Sequence, residues 1–165
     1  MANFTTEGFQ KYDSWFTPKS AWEDVIQYIS KDKLIWECFY GNGDSARYLT
    51  ELGCNVISED IDFYEHNQGD IIVSNPPFSD CKRVFARLKE MNKPFMMIIP
   101  ISKLTTDYFQ KHFANEVQVI IPRKRIQFGR WNEETQKVEI PKTSANFASV
   151  YVCYKFGLPR DLIYV

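Results

Sequence analysis

The residues best suited to chemistry are Asn75-Pro76-Pro77-Phe78, which follow the largely apolar residues 70–73. Proline cannot donate a hydrogen bond to a neighbouring strand, so a strand must end here. A rigid segment with an amide and an aromatic ring can hold a flat polar ligand, but the same residues also suit an ordinary turn. The neighbouring strand ends help to decide between these two interpretations.

Two other predicted strands also end in residues suited to ligand binding. The first ends in Glu37-Cys38-Phe39, followed by Gly41 and Gly43, which allow a tight turn and a close approach of ligand to backbone. The second ends in Glu59-Asp60, where a carboxylate commonly binds ribose hydroxyls. Each feature alone also suits a turn or a solvated loop. Their order and spacing together predict a nucleoside pocket beside the Asn75 amide.

The composition is that of an ordinary water-soluble chain. The 165 residues are 44% hydrophobic and 25% charged, and they predict one domain over residues 1–165. The formal net charge of −1 provides no overall basic field for nucleic acid. Four cysteines without metal-ligand spacing predict free thiols and no metal. Without a signal-peptide or membrane-spanning pattern, we expect a soluble intracellular protein that does not bind membranes.

Strands and helices alternate along most of the chain. Apolar residues at helical spacing predict helices, which cover residues 20–29, 45–52, 82–91 and 106–113. Short apolar runs predict strands, which cover residues 34–39, 55–58, 70–74, 94–100, 117–121 and 148–155. This alternation predicts an α/β fold, with a mostly parallel twisted sheet and helices on both faces.

Two parts of the chain depart from this alternation. Only about ten residues join Asp60 to Asp70, too few for a crossover helix. We therefore expect the fold to be trimmed by one strand and one helix after the second strand. The last two strands are separated by residues 129–147, and we expect them to form a C-terminal antiparallel hairpin with a long loop.

The motifs together resemble those of an enzyme family. Phe39-x-Gly41-x-Gly43 followed by Asn75-Pro76-Pro77-Phe78 is similar to the motifs of S-adenosylmethionine-dependent amino-methyltransferases, especially the N6-adenine DNA methyltransferases. Trp15-Phe16-Thr17-Pro18 resembles the family's segment over the methionine end of the cofactor. Asp62-Phe63 resembles its acidic-aromatic pair beside the cofactor's adenine. The resemblance covers residues 12–156 and implies a Rossmann-like class I methyltransferase fold.

The resemblance also implies a cofactor and a reaction. The residues that would bind S-adenosylmethionine are Phe16, Thr17, Pro18, Glu37, Phe39, Gly41, Gly43, Asp60, Asp62 and Phe63. The catalytic residues would be Asn75, Pro76, Pro77 and Phe78. The Asn75 side-chain oxygen and the Pro76 carbonyl would accept from the target amine, in positions that the prolines hold beforehand. Phe78 would stack on a flipped-out base, and positioning would favour in-line transfer without a metal.

The chain departs from the family because no stretch is large enough for a separate target-recognition region. The best local basic and aromatic patch consists of Arg123, Lys124, Arg125, Arg130 and Trp131. We expect this patch either to bind nucleic acid or to be a charged edge surface that keeps the protein soluble. Weak sequence selectivity, a single-stranded substrate and a partner subunit that supplies recognition are the hypotheses that follow.

The expected function is methyl transfer to N6 of adenine in nucleic acid, with DNA as the preferred substrate. Phe78 favours adenine, because relatives that modify protein glutamine or guanine amines tend to have Tyr there. One alternative is N-methylation of an amine or a glutamine amide in RNA or protein. The other is an inactive subunit that binds nucleic acid for a partner, and the intact Asn75 motif argues against it.

Overall fold

A seven-stranded sheet forms the centre of the fold in a computed structural model that describes residues 15–142 and 147–165. With strands numbered along the chain, it contains β2 (Leu34–Trp36), β3 (Asn55–Ile57), β4 (Ile71–Ser74), β5 (Phe95–Pro100), β6 (Val117–Ile121), β9 (Ser149–Tyr154) and β10 (Leu162–Tyr164). Their order is β10-β6-β9-β5-β4-β2-β3, and only β9 runs antiparallel to its neighbours. The predicted, mostly parallel sheet with a C-terminal β6–β9 hairpin is confirmed.

The α-helices are α1 (Lys19–Glu23), α2 (Asp44–Glu51), α3 (Cys81–Met91) and α4 (Asp107–Phe113). Short 3₁₀ helices cover Ile26–Tyr28, Phe78–Asp80 and Ile101–Thr105. Three helix predictions agree to within a residue, whereas the helix predicted over residues 20–29 is divided into α1 and the 3₁₀ helix Ile26–Tyr28. The β-branched pair Val25 and Ile26 disfavours a continued helix, and the chain bends there while burying Val25. Among the described residues, no helix is long and apolar enough to span a membrane.

Helices cover both faces of the sheet, as predicted. On one face, α3 and α4 contribute Phe85, Leu88 and Phe113 to an apolar cluster. On the other face, α1 and α2 contribute Trp22 and Leu49. Successive residues of β9 alternate between the two clusters, which is the pattern expected of a strand buried on both faces.

The short connection from β3 to β4 contains no helix or strand, so the predicted trimming after the second strand is confirmed. The connection is tied back to the sheet by Asp70, whose Oδ2 accepts from the Leu34 backbone N–H at 2.8 Å. The Lys93 ammonium donates to the carbonyl oxygens of Gln68 and Gly69, each at 2.9 Å. These bonds hold the end of the short connection beside β2 and the start of β5.

Gly69 allows this connection to pass close to β2, and its replacement by Ala is expected to destabilise the fold. A Cβ at Gly69 would lie 2.9 Å from the Leu34 carbonyl oxygen and 2.9 Å from the Trp36 nitrogen, and φ is +68°. Gly157→Ala is the matched control, because Gly157 has φ +70° with open space around it. Chemical denaturation should show a loss of about 1 kcal/mol for Gly157→Ala and at least about 2 kcal/mol for Gly69→Ala. Equal losses would show that the backbone conformation alone matters.

A second, three-stranded sheet consists of β1 (Trp15–Phe16), β7 (Gly129–Asn132) and β8 (Lys137–Glu139). The antiparallel pair β7–β8 with its turn, here called the ribbon, lies within residues 129–147, which were predicted to be a loop. Trp15 pairs with Arg130 and Phe16 pairs with Gly129. The ribbon was missed because its strands, of four and three residues, are too short to show a periodicity of their own.

Candidate active site

The carboxyl ends of β2, β3 and β4 meet around the side chain of Glu37, which is 1% exposed. Its carboxylate accepts from the hydroxyl of Ser74 at the end of β4 and from the Phe39 backbone N–H at 3.3 Å. The hydroxyl of Ser58, just past β3, donates to the Glu37 backbone carbonyl at 2.8 Å and lies 3.3 Å from Oε2. One acidic side chain therefore links three neighbouring strand ends.

Burial raises the pKa of Glu37 to about 7, against the lowering effect of its hydrogen bonds. Among the described residues, no ion pair involves Glu37. When protonated, Oε2 can donate to the Ser58 hydroxyl, whose own proton goes to the Glu37 carbonyl. A buried carboxyl without a positively charged partner favours a cationic ligand nearby, because such a ligand stabilises the ionised form.

The glycine loop, residues 40–43, turns the chain from β2 into α2. Gly41 has φ +59° and Gly43 has φ +83°, and the Gly43 N–H donates to the Tyr40 carbonyl at 2.8 Å. Asn42 closes the loop, because its Oδ1 accepts from the Asp44 backbone N–H at 3.1 Å. The predicted glycine turn is therefore present at the carboxyl edge of the sheet, directly before a helix.

Asn75 follows β4, and only one end of its side-chain amide forms a hydrogen bond. Nδ2 donates to the hydroxyl of Thr17 at 2.8 Å, whereas the Oδ1 atom is buried without a hydrogen-bond partner. Pro76 is buried beside it. A buried amide oxygen without a partner is unfavourable by about 1–3 kcal/mol, so the site retains an unused acceptor next to a rigid proline pair.

Phe78 lies in an aromatic cluster formed by Trp15, Phe78, Phe128 and Phe147. Its ring centroid is 5.1 Å from that of Phe147 and 6.1 Å from that of Phe128, and both contacts are edge-to-face. The Arg130 guanidinium lies 4.8 Å from the ring centroid of Trp15. The cluster therefore joins the Asn75 segment to β1 and the ribbon.

Three residues predicted to contact a cofactor after β3 lie in different environments. Asp60 is exposed. Asp62 accepts from the Tyr64 backbone N–H at 2.8 Å and so stabilises a local turn. Phe63 is 0% exposed and packs with its centroid 4.7 Å from that of Phe39. Other protein rings cover the surface of Phe63 in this structure, and its contact with a ligand ring stays a prediction.

A groove of about 500 Å³ lies next to the glycine loop. Residues 16–18 line it together with Asn42 and Asp44, and so do Trp131 of the ribbon and Ile140 directly after β8. The fold thus brings the segment around Thr17 next to the glycine loop. Glu37, Asp60 and Asn75 do not line this groove.

The basic and aromatic patch is divided between two structural elements. Arg123, Lys124 and Arg125 are exposed just past β6, and Arg125 Nε donates to the Phe147 carbonyl at 2.9 Å. Arg130 and Trp131 lie on β7, where Trp131 is 45% exposed. Because β6 runs parallel to β5, its basic end lies at the same edge of the sheet as Asn75.

Sequence reasoning missed three partners of the predicted site residues. Ser58 and Ser74 bind Glu37, and the Thr17 hydroxyl binds Asn75 from 58 residues away. No local pattern identifies such partners, because serine and threonine are common at strand ends and turns. Among residues 15–142 and 147–165, no three His, Cys, Asp or Glu side chains are grouped as metal ligands.

Comparisons with known proteins identify the fold. No family model matches the chain, and no curated protein matches its sequence. A Pyrococcus horikoshii protein assigned as an RNA methyltransferase has 16% identity and a TM-score of 0.56, over 91% of this chain and 89% of that one. A dimethyladenosine transferase from Plasmodium falciparum has 12% identity and a TM-score of 0.50, over 84% of this chain and 62% of that one. The chain has the Rossmann-like class I methyltransferase fold.

Proposed function

We propose that this protein is an S-adenosylmethionine-dependent methyltransferase that modifies N6 of adenine in DNA. The observation that carries the proposal is the buried, unpartnered Oδ1 of Asn75, which is followed by two prolines at a strand end. An acceptor held in this way suits a ligand N–H group. The fold supports methyl transfer as the reaction class. The free Asn75 side-chain oxygen supports an amine as the group that accepts the methyl.

The residues at the neighbouring strand ends fit this cofactor. When bound, S-adenosylmethionine supplies a methyl group on a sulfonium cation. The buried Glu37 carboxyl favours a positive charge nearby, and the loop of Gly41 and Gly43 lets a ligand approach the backbone. Residues 16–18 face the same loop across the groove and would enclose the methionine end.

Asn75 and Pro76 would activate the target amine. The lone pair of an aromatic exocyclic amine is delocalised into the ring, which makes the nitrogen a poor nucleophile. The Asn75 Oδ1 and the Pro76 carbonyl would accept its two N–H bonds and draw it toward tetrahedral geometry. Pro77 helps to fix these acceptors in advance, so little reorganisation is needed when the methyl group moves.

Phe78 would stack on the target base, with the aromatic cluster providing the surrounding walls. Since the Asn75 Oδ1 is shielded from solvent, side chains around it must move apart when a base enters. The exposed Arg123 and Lys124 lie at the same edge of the sheet and would bind the phosphate backbone. A partner subunit could supply the sequence recognition for which this chain has no separate region.

RNA is the second candidate substrate. The two structural neighbours are named as an RNA methyltransferase and a dimethyladenosine transferase, so the fold also carries adenine and RNA chemistry. The local contacts proposed here involve one exocyclic amine and are compatible with either polymer. Methyl incorporation into each polymer distinguishes DNA from RNA as the substrate.

The experiment that tests the proposal is methyl incorporation from labelled S-adenosylmethionine into single-stranded DNA, duplex DNA, RNA and a protein extract. Label in DNA that digests to N6-methyladenine, and is lost with Asn75→Ala, is the expected result. Label in RNA alone would retain the amine mechanism and replace DNA by RNA. Label in protein alone, or in none of these substrates, would overturn the proposed nucleic-acid activity.

The double variant Arg123→Ala, Lys124→Ala is expected to weaken binding to nucleic acid uniformly across sequences. Each phosphate contact on a single strand contributes about 0.7 unit to the slope of log Kd against log salt concentration, so the double variant should lose about 1.4 units. Arg125 is left unchanged because its Nε donates a hydrogen bond to the Phe147 carbonyl oxygen. Fluorescence anisotropy with a single-stranded oligonucleotide at several KCl concentrations measures the slope.

Lys33→Ala, Lys111→Ala is the matched control, because both lysines are exposed and removing them changes the net charge equally. If both double variants lose the same slope, the effect comes from overall charge and not from the patch. An unchanged slope in the Arg123 and Lys124 variant would remove the patch from the proposed binding surface.

A further inference from the structure

We infer that Thr17 is a positioning residue that holds the Asn75 amide with its oxygen available to the target amine. This inference rests on the proposed function and adds to it, since Thr17 was expected only to contact the cofactor. The observation is the 2.8 Å hydrogen bond from Asn75 Nδ2 to the Thr17 hydroxyl oxygen, together with the unpartnered Oδ1.

The bond matters because the two ends of an asparagine amide have opposite hydrogen-bonding character. Oδ1 accepts hydrogen bonds, whereas Nδ2 only donates. An amine to be methylated presents N–H groups, so it bonds to Oδ1 and is repelled by Nδ2. Engaging Nδ2 with Thr17 leaves Oδ1 as the free end, which is the arrangement that methyl transfer to an amine needs.

Thr17 is itself held from both sides along the chain. Phe16, before it, pairs with Gly129 of the ribbon, and Pro18, after it, accepts from the Ala21 backbone N–H at 3.1 Å in α1. The Thr17 side chain is also buried, with 7% exposure. Because Thr17 is fixed in this way, it restricts the conformations of the Asn75 side chain before substrate binds. The side chain therefore loses less conformational freedom during the reaction.

Two variants separate the hydroxyl from the bulk of the side chain. Thr17→Val keeps the shape and removes the hydrogen bond, and Thr17→Ser keeps the hydroxyl. We expect kcat to fall about tenfold in Thr17→Val, the loss typical of one hydrogen bond, and Thr17→Ser to recover most of it. Cofactor affinity, measured by calorimetry, should change by a smaller factor than kcat, because the Thr17 hydroxyl bonds to Asn75 while residues 16–18 would enclose the cofactor through the rest of the segment.

Several results would overturn this role. They are a wild-type kcat in Thr17→Val, an equal loss of kcat in both variants, and a loss confined to cofactor affinity. The last result would assign Thr17 to the cofactor alone. A melting temperature measured for each variant shows whether Thr17→Val remains folded, and the Ser variant provides the comparison if it does not.

The side-chain amide signals of Asn75 provide a readout that needs no activity. In ¹⁵N-labelled protein, the pair of cross-peaks that disappears in Asn75→Ala belongs to this amide. Those cross-peaks should shift in Thr17→Val and return close to their original positions in Thr17→Ser. Unshifted cross-peaks in Thr17→Val would overturn the bond. If the wild-type protein methylates nothing, the proposed function fails, while the amide signals still test the contact.

Discussion

Asn75→Ala is expected to lower methyl transfer by about a hundredfold to a thousandfold, because it removes one of the two acceptors for the target amine. Cofactor affinity should change little, since the amide would touch the substrate and not the cofactor. Folding stability should also change little. The substitution loses the bond to Thr17 but removes a buried oxygen that has no partner.

Asn55→Ala is the matched control, because Asn55 is exposed at the start of β3, away from the carboxyl edge of the sheet. Single-turnover transfer of labelled methyl groups measures the effect, and calorimetry measures cofactor affinity. Equal transfer by Asn75→Ala and Asn55→Ala would contradict the mechanism. A large loss of cofactor affinity in Asn75→Ala would place the amide in the cofactor site.

Glu37 is expected to make both stability and cofactor affinity depend on pH. Its pKa is about 7 in the folded protein, against 4.5 for an ordinary glutamate in water. The folded state therefore holds the proton more tightly, and stability from this group is full below about pH 4.5. As pH rises from about 4.5 to about 7, the free energy of unfolding therefore falls by about 3 kcal/mol through this group.

Glu37→Gln isolates this effect, because the amide keeps the size of the side chain and cannot titrate. Urea denaturation between about pH 4.5 and 8 should show the variant gaining about 3 kcal/mol relative to the wild type as pH rises. A constant difference between the two proteins across this range would show that Glu37 does not titrate as its burial predicts.

A positively charged cofactor should favour the ionised form of Glu37. In the wild type, affinity for S-adenosylmethionine is therefore expected to rise by up to about tenfold between about pH 5.5 and 7. In Glu37→Gln this increase should be absent. Calorimetry at several pH values measures it, and proton release on binding, seen in buffers of different ionisation enthalpy, checks the cause. Identical pH dependence in both proteins would exclude Glu37 as its source.

The elements that form the site were largely predictable because their boundaries are set by local chemistry. Pro76 cannot continue the ladder of β4, and Gly41 and Gly43 take positive φ values between β2 and α2. The missing crossover helix followed from the small number of residues between Asp60 and Asp70. In each case a few neighbouring residues suffice to determine the outcome.

Other features depended on segments that are distant in the chain. The strand β10, with exposed Leu162 and Tyr164, has no strong pattern and is stabilised by pairing with β6. The ribbon pairs with β1 across more than a hundred residues, as Trp15 and Arg130 show. Short strands of this kind form only when a partner completes their hydrogen bonds, so periodicity alone does not reveal them.

The amino-acid sequence by itself determined the α/β alternation, the strand ends that carry Glu37 and Asn75, and the chemical types gathered there. Only the tertiary structure decided the state of those groups. Glu37 has a raised pKa because three strand ends exclude water from it. The Asn75 amide has one free end because Thr17, far away in the chain, occupies the other. Solvent exclusion and hydrogen-bond partners belong to the packed molecule, and no local run of residues encodes them.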